Sequence, residues 1–254
     1  MITEPFATGN SLIHQLDPRV RIVGATVCSF VIALSSRFSA MIAAILLSFL
    51  LIGIARLNMR ELIKRVAIVN GLVFFFWLIL PLTFEGETLF QIGAFPVSLE
   101  GVLLAARITL KSNAILLIFI ALVATSSLIT LGHAMNCLYI PEKIVHLLLL
   151  TYRYIFVIEQ EYQRLVRAAK IRGFKPKTNL YTYRTYAYLV GMLFVRASER
   201  AERVHHAMLC RGFKGKFYSL HEFSLTQKDI IWSGFMIIAV IGLEYLEWRM
   251  KIIQ

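Results

Sequence analysis

The stretch SNAILLIFIALVATSSLITLG, from Ser112 to Gly132, contains no charged residue in 21 positions. A helix of that length is long enough to cross the hydrocarbon core of a bilayer. The rest of the chain has a similar character, because 58% of its 254 residues are hydrophobic and its mean hydropathy is +0.69. These values are too apolar for an ordinary soluble domain and predict an integral membrane protein.

Further apolar runs lie on both sides of this stretch. Three precede it and one follows it: Ile22–Ser36, Phe38–Ala55, Val66–Phe84 and Ile230–Leu246. We expect Asp17 to cap the first helix, with Pro18 at its first position, and we expect the central stretch to belong to a long helix of about Leu99–Leu131. The sequence therefore predicts an all-α membrane protein with about five transmembrane helices, four in residues 1–131 and one in residues 229–254.

Positive charge is concentrated between the last two apolar runs. Sixteen of the 27 Lys and Arg residues lie between Ile129 and Lys228, a range that contains six Asp and Glu residues. Basic segments of membrane proteins face the cytoplasm preferentially. An N-terminus inside places this range and the basic segment Arg56–Arg65 in the cytoplasm, and it places the acidic segment Glu85–Glu100 outside. We therefore predict a multi-pass protein of the inner (cytoplasmic) membrane with its N-terminus inside.

The basic range, taken as a domain of residues 132–228, is predicted to be helical. One pattern begins at Pro141-Glu142 and continues without a further Pro or any Gly to Arg172, and a second runs from about Thr182 to Arg211. Arg153 and Arg196 interrupt their apolar parts, so neither pattern supplies the roughly 18 apolar residues that a span needs. We predict two long cytoplasmic helices preceded by a short one, and the alternative is an additional pair of spans.

Both long patterns end in the tetrapeptide Arg-Gly-Phe-Lys, at Arg172–Lys175 and Arg211–Lys214. The copies are 39 positions apart, and the residues before them repeat at the same shift, with Arg164 and Ala168 matching Arg203 and Ala207. The Gly is expected to stop each helix in the left-handed conformation, with the Phe folded back over the last turn. A small Ala one turn before an Arg leaves an approach for another surface. We therefore predict that Arg172 and Arg211 dock into acidic clefts on two equivalent receivers, such as the halves of a symmetric dimer.

Four charged residues near apolar stretches need partners. Arg107 and Lys111 have i,i+4 spacing before the uncharged stretch, and they either reach toward the outer interface or face the interior of the bundle. Arg153 and Arg196 are expected to pair with carboxylates or carbonyls. The candidate carboxylates within the chain are Glu159, Glu161 and Glu199.

Three groups of motifs carry a resemblance to a known family. They are His14-Gln15-Leu16-Asp17-Pro18-Arg19-Val20, Thr151-Tyr152-Arg153-Tyr154-Ile155, and the pair Ile171-Arg172-Gly173 and Cys210-Arg211-Gly212. Along nearly its full length the chain resembles the transmembrane T component of energy-coupling-factor (ECF) transporters, the CbiQ/EcfT family. The usual signature of that family is Ala-Arg-Gly, so Ile171 and Cys210 depart from it while the Arg and the Gly of both copies are kept.

The resemblance implies the non-catalytic coupling subunit of an ATP-driven importer. The residues that would dock onto two cytoplasmic ATP-binding-cassette (ABC) ATPase subunits are Arg172, Gly173, Ala168, Arg211, Gly212 and Ala207. It implies structural or coupling roles for Asp17, Pro18, Arg19 and Arg153. ATP would be bound by the ATPases and no cofactor by this chain. A separate membrane subunit, of the S or CbiM type, would capture the substrate and contact the apolar parts of the long helices.

The resemblance also bears on the substrate. It favours cobalt, supplied for cobalamin biosynthesis, with nickel or a vitamin as alternatives. The substrate itself would be held by the capture subunit, so no metal ligand is assigned to this chain.

Other classes of function find little support in the residues. The chain has no Gly-x-x-x-x-Gly-Lys-Ser/Thr motif, so we do not expect it to hydrolyse ATP. A membrane-embedded enzyme needs intramembrane carboxylates or a nucleophile–base pair, yet beyond Glu100 at the start of the long central helix the predicted spans hold only Arg107, Lys111 and Glu244. His205 and His206 point to different helix faces, which disfavours a metal site. No ring of charge or repeated filter sequence indicates a passive channel, and no recognition motif indicates nucleic-acid binding.

Overall fold

Helices make up almost all of the computed structural model, which describes Phe6, Gly9 and residues 11–84, 88–92, 95–214 and 226–252. The all-α class is confirmed. Within these residues the helices are α1 (Leu12–Gln15), α2 (Pro18–Leu34), α3 (Phe38–Ala55), α4 (Met59–Thr83), α5 (Leu99–Leu122), α6 (Leu128–Cys137), α7 (Glu142–Ile171), α8 (Leu180–Cys210) and α9 (Gln227–Ile252). A short antiparallel hairpin of β1 (Thr88–Ile92) and β2 (Phe95–Ser98) joins α4 to α5.

The chain forms two compact units. The membrane unit comprises Ile2–Ala134 and Glu222–Gln254, and the two-helix unit comprises Met135–His221, with α7 and α8. In the described residues, four helices are long and apolar enough to cross a membrane: Phe38–Ala55, Met59–Thr83, Leu99–Leu122 and Gln227–Trp248. The first predicted span corresponds to α2, whose 17 residues extend about 25 Å at 1.5 Å per residue. A fifth span therefore stays a prediction.

Local sequence signals place the starts of α2 and α4. The Asp17 side chain accepts a hydrogen bond from the Arg19 N–H at 2.9 Å, and Pro18 is the first helical residue, as predicted. The Asn58 side chain caps α4 in the same way, by accepting from the Arg60 N–H at 3.1 Å. The helix therefore begins at Met59, before the predicted apolar run Val66–Phe84, and includes most of the basic segment Arg56–Arg65.

The predicted long helix of about Leu99–Leu131 is wrong at its C-terminal end. The helix α5 ends at Leu122, and α6 begins at Leu128. The Thr125 hydroxyl donates to the backbone oxygens of Ala121 and Leu122, and the Ser127 hydroxyl accepts from the N–H of Thr130 at the start of α6. Hydroxyl side chains that bond to nearby backbone compete with the helical hydrogen bonds, so the apolar run is broken here.

Polar contacts fix the directions of the membrane helices. The Asp17 N–H donates to Asp229 Oδ1 at 2.7 Å, and the Ser36 N–H donates to Glu247 Oε1 at 2.8 Å. These contacts join the start of α2 to the start of α9 and the end of α2 to the end of α9, so the two helices run in the same direction. In contrast, α5 runs against them, because Thr125 near its end contacts Arg21 near the start of α2.

Arg107 and Lys111 are both partly buried and both contact neighbouring helices. The Lys111 ammonium donates to the Ala33 backbone oxygen at 2.8 Å, at the negative end of the α2 dipole. The Arg107 guanidinium lies over the Phe38 ring, 5.2 Å from its centroid. Both charges therefore help to hold the end of α2 and the start of α3 against α5.

The core of the membrane unit lies where α2, α3 and α5 meet. Its fully buried side chains include Cys28 of α2, Leu51 of α3 and Ile118 and Leu122 of α5. By comparison, α4 buries only Leu62, Val73 and Pro81 among its 25 residues. The core therefore holds α2, α3 and α5 together, while α4 contributes little buried surface.

The two-helix unit contains the two predicted long helices, and both are confirmed. Neither is among the described helices that are apolar enough to span a membrane, which disfavours the alternative of two extra spans. The Phe174 ring, just after α7, lies 5.6 Å from the Tyr186 ring near the start of α8, and Glu161 pairs with Arg196 near the middle of both. The helices therefore run antiparallel.

Candidate functional site

Each long helix ends in the same backbone motif. After α7, Gly173 has φ +87° and its N–H donates to the Lys170 oxygen at 3.0 Å, while the Phe174 N–H donates to the Ala169 oxygen at 3.0 Å. This pair of bonds defines a Schellman motif, in which a left-handed residue reverses the chain and satisfies the last carbonyls. The Gly of the first copy therefore acts as the predicted helix stop.

The second copy repeats this geometry. After α8, Gly212 has φ +79° and donates to the Leu209 oxygen at 2.9 Å, while the Phe213 N–H donates to the Met208 oxygen at 3.0 Å. The capping residues also match, since Arg172 has φ −77° and ψ 12° and Arg211 has φ −88° and ψ 10°. The sequence repeat is therefore a repeat of backbone structure.

The arginines and alanines of the two repeated helix ends are all exposed. Arg172 and Arg211 lie at the two helix ends, with Ala168 and Ala207 one turn before them. An exposed Ala followed one turn later by an exposed Arg leaves the guanidinium approachable along the helix face. Each helix end can therefore present a planar guanidinium group, with five N–H donors, to carboxylates on another surface.

The phenylalanines tie each end to the other helix. Phe174 is 5% exposed and packs against Tyr181 and Tyr186 of α8, with ring centroids 6.2 and 5.6 Å away. Phe213 is partly buried and lines an apolar groove between α7 and α8, which also includes Tyr154 and Met208. The aromatic residue of each copy thus fixes the position of the neighbouring arginine.

The two arginine ends lie far apart, which sequence reasoning did not anticipate. Because the helices are antiparallel, Arg172 lies near the start of α8 and Arg211 lies at its end. From the Phe174 contact at Tyr186 to Arg211 there are 25 residues of α8, or about 38 Å. The short connection between the helices was the available signal, because a short loop forces antiparallel neighbours.

A charged cluster joins α7 to α8 near their middle. Glu161 accepts hydrogen bonds from Arg196 of α8 and, at 3.4 Å, from Arg164 of α7. The hydrogen bond and charge of Arg196 lower the pKa of Glu161 from its ordinary value of 4.5. Glu161 is therefore the predicted carboxylate that Arg196 uses, whereas Arg153 is exposed and forms no ion pair within the described part of the chain.

The motif Asp17-Pro18-Arg19 belongs to a polar cluster in the membrane unit. Besides capping α2, Asp17 donates its N–H to Asp229 of α9, and the Arg19 Nε lies 3.9 Å from Asp17 Oδ1. Arg21 is 3% exposed and donates to the Thr125 hydroxyl at 3.2 Å. The cluster therefore joins the starts of α2 and α9 to the end of α5, which gives the motif a structural role.

The histidine pair shows no metal-site geometry. His205 and His206 are exposed, and their ring centroids are 6.2 Å apart with tilted planes. Among the residues with described positions, no three His, Cys, Asp or Glu side chains are grouped as metal ligands.

Taken together, these features define a helical membrane protein with a separate two-helix unit that exposes two matched arginine ends. The family described as "CbiQ: Cobalt transport protein" matches residues 9–241. The chain belongs to this family.

Curated relatives are similar over most of their length. The energy-coupling factor transporter transmembrane protein EcfT of Bacillus subtilis is 26% identical over 245 residues, which cover 92% of this chain and 91% of that protein. The EcfT proteins of Brevibacillus brevis and Leuconostoc gelidum are 27% and 28% identical, and the matches cover 96% and 82% of both chains, respectively.

Proposed function

We propose that this chain is the transmembrane component of an ECF transporter and that it couples cytoplasmic ATPases to a membrane subunit that captures the substrate. The observation that carries the proposal is the matched pair of Arg-Gly-Phe ends, with the same Schellman geometry, at the opposite ends of one antiparallel helix pair. Family membership and the names of the relatives support the same class of transporter.

Docking is assigned to the exposed arginines. Arg172 and Arg211 each enter an acidic cleft on one of two ABC ATPase subunits, where a desolvated bidentate pair binds more strongly than a pair at the rim. Ala168 and Ala207 allow the ATPase surface to approach, and Gly173 and Gly212 end the helices so that the guanidinium groups project. A separation of about 38 Å suits two separate receivers rather than one cleft.

Transmission is assigned to the length and stiffness of α7 and α8. ATP-driven closure of the ATPase pair displaces the two ends, and helices of 30 and 31 residues without internal Pro carry the displacement. The apolar groove between them, which includes Leu147, Tyr154 and Val204, offers a surface for the capture subunit. The chain itself is a non-catalytic subunit, and ATP is bound by the ATPases.

The proposed topology has the N-terminus inside the inner membrane. Residues 1–131 supply four spans, residues 132–228 form the cytoplasmic coupling domain, and residues 229–254 supply the last span. Because α9 runs in the same direction as α2, this topology places the C-terminus outside.

The proposed substrate is cobalt, with nickel and a vitamin as the alternatives. Support for cobalt comes from the description of the family, whereas the names of the relatives support only the class of transporter and name no substrate. The capture subunit holds the substrate, so exchanging that subunit should change the substrate without a change in this chain.

Replacing the arginines tests the docking role. Arg172→Ala and Arg211→Ala should each reduce co-purification with the ATPase subunits, and the double variant should be nearly inactive in vesicle uptake of labelled cobalt. The matched control is Arg167→Ala, which removes the same charge from an exposed position of α7 that lies on another face of the helix. Full uptake by the double variant, with normal membrane insertion, would refute the docking role.

A further inference from the structure

The contact between α7 and α8 changes in character along their length. At one end the connection is tightly built: Phe174 is buried against α8, and Thr182, 6% exposed, accepts from the Lys177 N–H and bonds to the Asn179 side chain. At the other end the facing residues are apolar but not tightly packed, since Leu147 and Ile155 remain 69% and 43% exposed. The contact between the two helices is therefore tighter at the connection than along this groove.

Glu161 lies between the tightly packed connection and the more exposed apolar groove. Its side chain is 14% exposed, whereas the side chains of its partners Arg196 and Arg164 are 45% and 64% exposed. Arg200, one turn after Arg196, also contributes positive charge to the site of Glu161. Three arginines from both helices thus lie near one carboxylate. Removing its charge would leave only repulsion between Arg164 of α7 and Arg196 and Arg200 of α8, weakened by solvent screening because Arg164 and Arg196 are exposed.

The ion pair lies close to the anchored connection, so a small change in helix separation there produces a larger displacement at the end of α8. From the anchored Tyr186 to Arg196 is 10 residues, or about 15 Å, and from Tyr186 to Arg211 is 25 residues, or about 38 Å. A change in separation at Arg196 is therefore magnified about 2.5-fold at Arg211, by the ratio of these helical lengths. Opening the pair by 2 Å at the ion pair would displace Arg211 by about 5 Å.

We infer that Glu161 is a positioning residue, whose ion pair with Arg196 fixes the angle between α7 and α8 and thereby the place at which α8 presents Arg211 relative to Arg172. The purpose of that geometry rests on the proposed function, whereas the ion pair's hold on the angle does not. Two ends that dock on a two-part receiver gain affinity only when their span and direction fit it.

The angle is measured on the full-length chain in nanodiscs, without any ATPase. Spin labels are attached at Lys143→Cys on α7 and Lys214→Cys after α8, in a background where the exposed Cys137 and Cys210 are replaced. Double electron–electron resonance should show that Glu161→Gln shifts the mean distance by about 5 Å or broadens its distribution by a similar amount, following the lever estimate. Arg196→Gln should shift the distance in the same direction but by less, because Arg200 still attracts Glu161, and the double variant should do no more than Glu161→Gln.

Two further variants separate positioning from misfolding. Glu159→Gln is the matched control, because Glu159 is exposed and its contact, at 3.5 Å from Gln163, stays within α7. The reversed pair Glu161→Lys with Arg196→Glu should restore the distance that Glu161→Lys alone disturbs. An unchanged distance in Glu161→Gln, or an equal change in Glu159→Gln, overturns the inference.

The consequence for docking is measured with the purified ATPase dimer of the same transporter. Glu161→Gln should weaken binding about tenfold when both ends are intact and should have no further effect in an Arg211→Ala background, since avidity is already lost there. If the distance shifts but binding is unchanged while the arginine variants do lose binding, the positioning role is wrong and the proposed function stands. If the arginine variants bind normally, the proposed function fails, and the distance measurement still decides whether Glu161 sets the angle.

Discussion

Replacing Gly212 by Ala should loosen the end of α8 without any steric clash. A Cβ built on Gly212 meets nothing within 4 Å, so the substitution adds no overlap. The backbone, however, has φ +79°, a left-handed conformation that an L-residue with a Cβ adopts at a cost of roughly 1–2 kcal/mol. The expected effect is thus purely conformational.

This free-energy cost predicts how much faster the backbone amides at the end of α8 should exchange hydrogen. A cost of about 1–2 kcal/mol changes the ratio of closed to open states by a factor of about 5–30. Amides in the last turn of α8, whose bonds include those from Gly212 to Leu209 and from Phe213 to Met208, should therefore exchange about 5–30 times faster. Gly212→Asn should lie between the wild type and Gly212→Ala, because Asn tolerates the left-handed region better.

The same helix offers a control with the opposite sign. Gly191 lies inside α8 with helical backbone geometry, and a Cβ there also meets nothing within 4 Å. Gly191→Ala should therefore stabilise α8 by about 0.5–1 kcal/mol and slow exchange. If Gly212→Ala leaves exchange at the end of α8 unchanged, or slows it as Gly191→Ala does, the Schellman interpretation of the repeat is wrong.

Three further predictions concern the membrane unit and the ion pair between the long helices. Arg21→Met should cost about 1.5–3 kcal/mol in thermal unfolding in detergent, because it removes the charge-assisted hydrogen bond from Arg21 to Thr125 between α2 and the end of α5. Gly101→Ala should lower the midpoint by an amount equivalent to about 1–3 kcal/mol, since its Cβ would lie 2.5 Å from the Leu80 oxygen, while Gly71→Ala, with open space around it, should not. The pKa of Glu161 is lowered in the folded state, so its contribution to the stability of the α7–α8 contact is fully present above the ordinary pKa of 4.5 and is lost as pH falls through the lowered pKa. Hydrogen-exchange protection of α7 and α8 should therefore fall at acid pH, and Glu161→Gln should remove this pH dependence.

Signals that act within a few residues made the two-helix unit predictable. Pro141 before α7 and the Gly residues after each helix place the helix ends to within two residues of those observed. Asp17 and Pro18 do the same for the start of α2. In each case the group that stops or starts the helix is in the sequence window itself, so no tertiary information is needed.

Other features depended on interactions that hydropathy does not record. The break after Leu122 arises because Thr125 and Ser127 bond to nearby backbone inside an otherwise apolar run. The contact of Arg21 with Thr125 joins positions 104 residues apart, and no local pattern pairs them. The choice of Glu161 among three candidate carboxylates likewise required the antiparallel arrangement of α7 and α8.

The polar cluster around Arg21 also fixes where the segment that contains α7 and α8 is connected to the membrane unit. It brings Thr125 at the end of α5 and Asp229 at the start of α9 to the same two turns of α2. Thr125 and Asp229, which flank the long segment that contains α7 and α8, therefore lie close together at one place in the membrane unit. Exchange of that single contiguous segment between relatives would replace the arginine ends together with the helices that space them, without rerouting any membrane helix.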